Sequence, residues 1–275
     1  MSANEISIYD NTSLLLSESS YIISIQPKFG LQIDLKTTNS SQSVAFVYLK
    51  EGSGDITFNI EVASNSNLTI LYWNYSDSDL TINETTTILK DAHYQVAYGE
   101  LTKANIKKSA EYRLTKSGAT VTACSAVITH SNKTFYQKAT HEVASTNSNI
   151  ENYGIVLKDA HYNLHVIGKI EKGASQSAAH QTTRVLTFDH KQNTKTLPEL
   201  LIEENDVSAS HAMTVGQMSS EQMYYLQSRG LSENEAMQLV TIGYLLPLTK
   251  LVDDESIKEK IVMMIEEKVR ETCWM

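Results

Sequence analysis

From Ile6 to about Leu201 the chain alternates apolar and polar residues with a two-fold period, and no helical period interrupts it. Ile56-Thr-Phe-Asn-Ile-Glu-Val, Leu68-Thr-Ile-Leu-Tyr-Trp, Thr120-Val-Thr-Ala-Cys-Ser-Ala-Val-Ile and Thr134-Phe-Tyr-Gln-Lys-Ala-Thr-His are examples. Such alternation turns one side of each strand to a core and the other to solvent. Clusters such as Ser64-Asn-Ser-Asn and Ser76-Asp-Ser-Asp punctuate the strands. Roughly fifteen strands without intervening helices predict a stacked, solenoidal all-β body. Composition agrees: Ser and Thr make 56 of 275 residues, a bias towards strands and polar turns. Three Pro and 11 Gly exclude collagen-like or Pro/Gly-rich disordered chains.

An internal repeat supports stacking. Leu89-Lys-Asp-Ala-His-Tyr recurs identically as Leu157-Lys-Asp-Ala-His-Tyr. The interval between the copies predicts about three coils if each takes roughly 20–25 residues.

After Gln217 the period becomes helical. Ser219 or Ser220 can cap a helix through Tyr224, Tyr225 and Leu226, with Gly230 as its stop. Ser232-Glu-Asn-Glu is a capping box for a second helix, with Ala236, Leu239, Val240 and Tyr244 on one face and Pro247 at or just past its end. Asp253 and Asp254 open a third helix carrying Ile257, Ile261, Met264, Ile265 and Val269. The expected organisation is a β body over residues 1–217 and a helical unit over 218–275. The apolar helix stripes require a partner surface.

The net charge of −9 lacks the electrostatic footprint of a nucleic-acid binder. No stretch is long and apolar enough to span a bilayer, and the N-terminus builds no secretory signal. Cys124 and Cys273 form neither a CxxC nor a disulfide framework, which suits a reducing compartment. The expectation is a cytoplasmic protein. No G-x-x-x-x-G-K-S/T loop exists, so an ATPase is excluded.

The most distinctive tract runs Leu197-Pro-Glu-Leu-Leu-Ile-Glu-Glu-Asn-Asp-Val-Ser-Ala-Ser-His-Ala-Met-Thr-Val-Gly-Gln, followed by Glu221-Gln-Met-Tyr-Tyr-Leu-Gln-Ser-Arg-Gly-Leu-Ser-Glu-Asn-Glu-Ala. It resembles, element by element and in order, the C-terminal signature of the SufB/SufD family, core proteins of SUF iron–sulfur cluster assembly. Upstream, Gln181-Thr-Thr-Arg-Val-Leu, and Tyr153-Gly-Ile-Val-Leu after His141, extend the resemblance weakly to about Thr134. Before that point the chain shows only a compatible strand pattern. The resemblance implies a right-handed parallel β-helix followed by a small α-helical C-terminal domain. It implies a SufB-like paralogue paired through the β-helices and the SufC ATPase held by the helices. A sulfur donor system would act indirectly. A transient iron–sulfur cluster would form at the SufB–SufD interface, and whether reduced flavin joins the complex stays open. No catalytic residue and no stably bound cofactor are expected.

His211, in Ser210-His-Ala-Met-Thr, matches the family's S-H-G histidine, a candidate iron ligand; a neutral imidazole suits borderline Fe(II). The plainer reading is a histidine that orders the last β-coil. Ala209 stands where many SufD sequences have Cys, and Ala212 where Gly is usual. SufB-type sequences carry Glu after this histidine and a Cys about one coil earlier; here Ala212 follows, and Thr182 and Thr183 occupy the earlier stretch. The chain is therefore SufD-like and, lacking the relatives' N-terminal helical region, resembles a shortened member.

Tyr224, Tyr225, Arg229 and Gly230 match the Y-L-x-S-R-G motif, and the resemblance makes them part of a SufC-docking surface. The alternative is packing onto the end of the β-stack, with one of the two tyrosines facing inward. Cys124 is expected to be a buried structural thiol, while Cys273 has no companion ligand. His93 and His161 hold equivalent places in the repeat. His161 and His165 would lie on one strand face roughly 13 Å apart, too far to share a metal. His141, His180 and His190 read as strand or turn residues, and the Asp253-Asp-Glu255 run as helix-start charge. Two other functions compete: a SufB-like homodimeric minimal scaffold with SufC, and an unrelated β-solenoid carbohydrate-binding protein or lyase.

Overall fold

The computed structural model describes residues 3–17, 19–157, 159–188, 194–252 and 255–272. Lys158, His190, Asp253, Asp254 and Cys273 lie outside them. The described residues form seventeen strands in two sheets, all pairings parallel. One sheet stacks β1 (Asn4–Ile8), β3 (Ser19–Ile25), β5 (Gln42–Leu49), β7 (Asn67–Asn74), β9 (His93–Glu100), β11 (Thr120–Thr129), β13 (Asn147–Val156), β15 (Ala178–Thr187) and β17 (Ser208–Gln217). The other stacks β2 (Thr12–Leu16), β4 (Leu31–Thr37), β6 (Gly54–Val62), β8 (Leu80–Ile88), β10 (Ile106–Leu114), β12 (Asn132–His141), β14 (His161–Ile170) and β16 (Thr194–Ile202). Each coil of this β-solenoid gives one strand to each sheet. The expected β-solenoid with helices after it is the observed fold.

The two-fold period sets which side chains enter the lumen. On β4, Leu31, Ile33 and Leu35 are buried and Gln32 and Lys36 exposed; Ile56, Phe58 and Ile60 repeat this on β6. Aromatic rings cross the interior edge-on, Phe58 to Tyr72 and Phe135 to Tyr162, with centroids 5.1 and 5.9 Å apart.

The middle and late coils are longer than the repeat suggested. Asn67 stacks on His93, and Asn147 on Ala178, so from Asn67 onward the coils take more chain than assumed and the late coils take the most. From Leu89 to Leu157 the chain therefore makes about two and a half coils rather than three. His93 opens a strand of one sheet and His161 a strand of the other. What the two copies share is a turn. Asp91 and Asp159 have positive φ, and the N–H groups of Ala92 and Ala160 close back on Leu89 O and Leu157 O. Asn65, Gly118 and Ser145 take the same left-handed conformation at corners of other coils. There the N–H of Asn65 donates to Lys90 O, that of Asp91 to Ser117 O, and that of Gly118 to Ser145 O, so the turns hydrogen-bond from coil to coil.

Three helices follow: α1 (Ser220–Ser228), α2 (Glu233–Leu245) and α3 (Glu255–Thr272), with a 3₁₀ turn at Leu246–Leu251 holding Pro247. Capping boxes at Ser219 with Gln222 and at Ser232 with Glu235 start the first two. The expectation that the helices sit on the end of the stack is not met. Leu245, Leu248, Val252, Ile261, Ile265 and Val269 instead bury a patch on the outer face of the odd-numbered sheet: Leu71, Trp73, Ala97, Cys124, Ala126, Ile128, Tyr153 and Ile155. Those strands are apolar on both faces near their C-terminal ends, so the sheet supplies the surface the helix stripes need. Gly99 makes room there, since a Cβ on it would lie 2.4 Å from the Trp73 ring. Leu239, expected on the buried face of α2, is 53% exposed; Ala236, Thr241 and Leu245 carry that face instead.

Candidate functional site: the open last coil

β16 and β17 form the last coil, and among the described residues no further strand pairs with either. Inward positions that are buried in the middle coils are therefore uncovered here. Gln181 and Thr183 on β15 are buried, and their register partners on β17 are His211 and Met213. His211 and Met213 thus share the lumen-facing side of the edge strand, and both are exposed. Thr196 Oγ1, from β16, donates to Met213 Sδ at 2.8 Å and spans the mouth of the lumen. One coil below, Gln181 Nε2 donates to Glu199 O at 3.1 Å. Deeper still, Asn152 Nδ2 donates to Gln137 Oε1 at 2.9 Å, so the late coils carry amides and hydroxyls where the early ones carry aliphatic side chains.

The outer side of this coil is different. His180 Nδ1 shares a hydrogen bond with Ser210 Oγ at 2.7 Å. His165 Nε2 lies 2.9 Å from Glu199 Oε2 and meets the Tyr136 ring edge-on. Leu197 and Leu201 are 40% and 45% exposed, and Ile202 and Met213 add two more large apolar side chains to the same coil. Thr182, the register partner of Ala212, faces outward, and Thr183 inward.

The other histidines do not converge on this place. His141 is buried at a corner, its ring nitrogens each 2.8 Å from a hydroxyl, Thr146 Oγ1 and Ser148 Oγ, and burial lowers its pKa to about 4. His93 pairs with Thr120 Oγ1. Among the described residues no three His, Cys, Asp or Glu side chains come together as a metal site. Cys124 faces the helices, not the lumen, and burial pushes its thiol far up, as expected of a structural thiol.

The expectation that Tyr224 or Tyr225 packs inward fails. They are 74% and 56% exposed, because α1 lies off the sheet and, among its described residues, buries none. The Arg229 guanidinium sits 5.2 Å from the Tyr225 ring centroid, and Gly230, with positive φ, closes the helix. Tyr225 and Leu226 line one wall of a groove of about 700 Å³; Val240 and Tyr244 of α2 and Leu186 and Met218 of the sheet side line the rest.

Two buried ion pairs escaped the sequence reading. Glu84 meets Lys108 at 3.2 Å and Glu100 meets Lys133 at 2.6 Å, all four side chains at most 2% exposed. Parity held the signal: Glu84 follows Leu80 and Ile82 on the inward side, and Lys108 follows Ile106. Burial would raise the Glu100 carboxyl, but Lys133 and donors from Thr102 and Asn74 outweigh it and hold it below its ordinary value.

The chain is a parallel β-solenoid whose last coil is uncovered and whose helices cover one sheet face. The comparisons agree. Residues 33–244 match the model of the SUF system FeS cluster assembly SufBD core domain, and the chain belongs to that family. It is 42% identical over 118 residues to the iron–sulfur cluster assembly protein SufD of Bacillus subtilis, covering 43% of this chain and 27% of the relative. It is 29% identical over 100 residues to SufD of Escherichia coli, covering 36% and 24%, and 29% identical over 113 residues to SufB of Bacillus subtilis, covering 41% and 24%. The aligned stretch thus spans about a quarter of these relatives' length.

Proposed function

We propose that this chain is a SufD-type, non-catalytic scaffold component of SUF iron–sulfur cluster assembly. It pairs with a SufB-like subunit through its last coil, and α1 and α2 dock the SufC ATPase around Tyr224, Tyr225, Arg229 and Gly230. His211 faces the nascent cluster, which is cargo rather than a resident cofactor. The protein would act in the cytoplasm; no helix among the described residues is long and apolar enough to cross a membrane. The observation that carries this reading is the open coil, which exposes two strand edges with Leu197, Leu201, Ile202 and Met213. Exposed apolar side chains beside unpaired strand edges favour burial against a partner. The lack of Cys at Thr182 and Thr183 supports a SufD-like rather than a SufB-like role, since a thiolate is the natural acceptor of persulfide sulfur.

Co-expression with SufB and SufC tests this. The expected result is a stable complex in size-exclusion chromatography with altered SufC ATPase activity, and Leu201→Asp should release SufB while leaving SufC bound. No complex, with unchanged ATPase activity, would overturn the reading.

A further inference from the structure

We propose that the first coil is a self-association surface that joins two copies of this chain through their β1 strands. It lies at the opposite end of the solenoid from the coil assigned to a SufB-like subunit, so it stands apart from that role. Among the described residues no further strand pairs with the outer edge of β1 or of β2. Edge strands that stay single are commonly guarded by lysine, proline or inward-pointing charge. β1, Asn4-Glu-Ile-Ser-Ile, carries one charge, which points outward, and β2, Thr12-Ser-Leu-Leu-Leu, carries none. Ile6 and Leu14 point into the lumen as register partners of the buried Ile23 and Leu35, but at its end they are only partly buried. Tyr9 and Leu15 beside them are 64% and 63% exposed, which extends the apolar rim.

The chemistry of the two ends selects the occupant. The mouth at β17 presents His211, Met213 and, from β16, Thr196, whereas the mouth at β1 is aliphatic. Head-to-tail stacking would seal the His211 imidazole against Ile6 and Leu14 without a hydrogen-bond partner. First coil on first coil sets aliphatic side chains against their own kind. A two-fold axis through Ile6 runs the two β1 strands antiparallel and pairs all five of their residues. Ile6 then faces Ile6 of the second copy on the lumen side, and Glu5 faces Ser7 of the second copy on the outer side. Glu5 meets no like charge in this register, so the strand is complementary to itself.

The test uses the full chain carrying Leu201→Asp, which disables the last coil as a competing edge. Its mass is followed against concentration by sedimentation equilibrium, with no SufB-like protein added. The expected species is a dimer and nothing larger. Ser7→Lys sets a cation against Glu5 twice per dimer and should tighten association roughly fivefold, while Ser7→Glu should weaken it by a similar factor. The Ser7 side chain is exposed in the single chain, so neither change touches the core. Thr85→Lys, an exposed position on the outer face of β8, makes the same change of net charge away from the edge and should leave association unaltered. The proposal is overturned if the chain stays monomeric at every concentration, if it grows beyond a dimer, or if Ser7→Lys associates no more tightly than Thr85→Lys.

Discussion

Lys133 Nζ lies 2.6 Å from Glu100 Oε1 inside the solenoid, with both side chains sealed from solvent. Glu100 also accepts from Asn74, Tyr98 and Thr102, and Lys133 donates to Thr102 O at 2.9 Å. A buried pair of this kind stabilises little relative to an apolar replacement, but a lone survivor is costly. Lys133→Met should therefore lose about 3–5 kcal/mol, while Lys133→Met with Glu100→Leu should lose clearly less. Urea unfolding of the two single variants and the double variant measures the coupling. Additive losses would show that the pair does not act as a unit.

His141 predicts an acid-labile corner. Its folded pKa, about 4, lies below the ordinary 6.5, so the unfolded chain binds the extra proton first as pH falls. Stability is thus complete above 6.5 and drains away towards pH 4, by up to about 3 kcal/mol from this group. His130, lowered to about 4 by burial and then by Lys133 and Lys103, acts in the same direction. His141→Gln should flatten the slope of unfolding midpoint against pH between 7 and 5. An unchanged slope would remove His141 from the account.

Cys124 reports on the helical cover. In a Cys273→Ser background it should resist a thiol reagent under native conditions and react once urea unfolds the chain. Ile265→Ala, which empties a fully buried place in α3, should cost about 2–5 kcal/mol and speed the native-state reaction. Fast labelling of the parent would mean the helices lift readily.

Gly99 is needed for close approach, not for its φ. Gly99→Ala forces a methyl into the Trp73 ring and should cost about 1–3 kcal/mol. Trp73 emission, read in a Trp274→Phe background, should shift. An unshifted spectrum at full stability would show that the ring has room to move.

The solenoid was legible because inward side chains on β4, β6 and β8 recur every second residue and turn residues bound each strand. The facing of Cys124 was not, because β11 is apolar on both sides, and only the helices explain why Ala126 and Ile128 are buried outside the lumen. The identical Leu-Lys-Asp-Ala-His-Tyr segments suggested whole coils; they record a left-handed aspartate turn used at two different corners. The tyrosines of α1 misled for a related reason. A helix period says which residues share a face, not whether that face meets the body. At the mouth, the His211 tract was readable as a family pattern, whereas the lumen-facing side it shares with Met213 needed the strand register.

The hydrogen-bonded corners have a consequence for how such a chain can change length. Connections between the even and odd sheets run from the short bend after Thr37 early in the chain to the longer one after Ile170 late in it, while the facing strands stay in step. Residues added at a bend swell the outline without rotating any buried side chain, so girth can be altered one storey at a time.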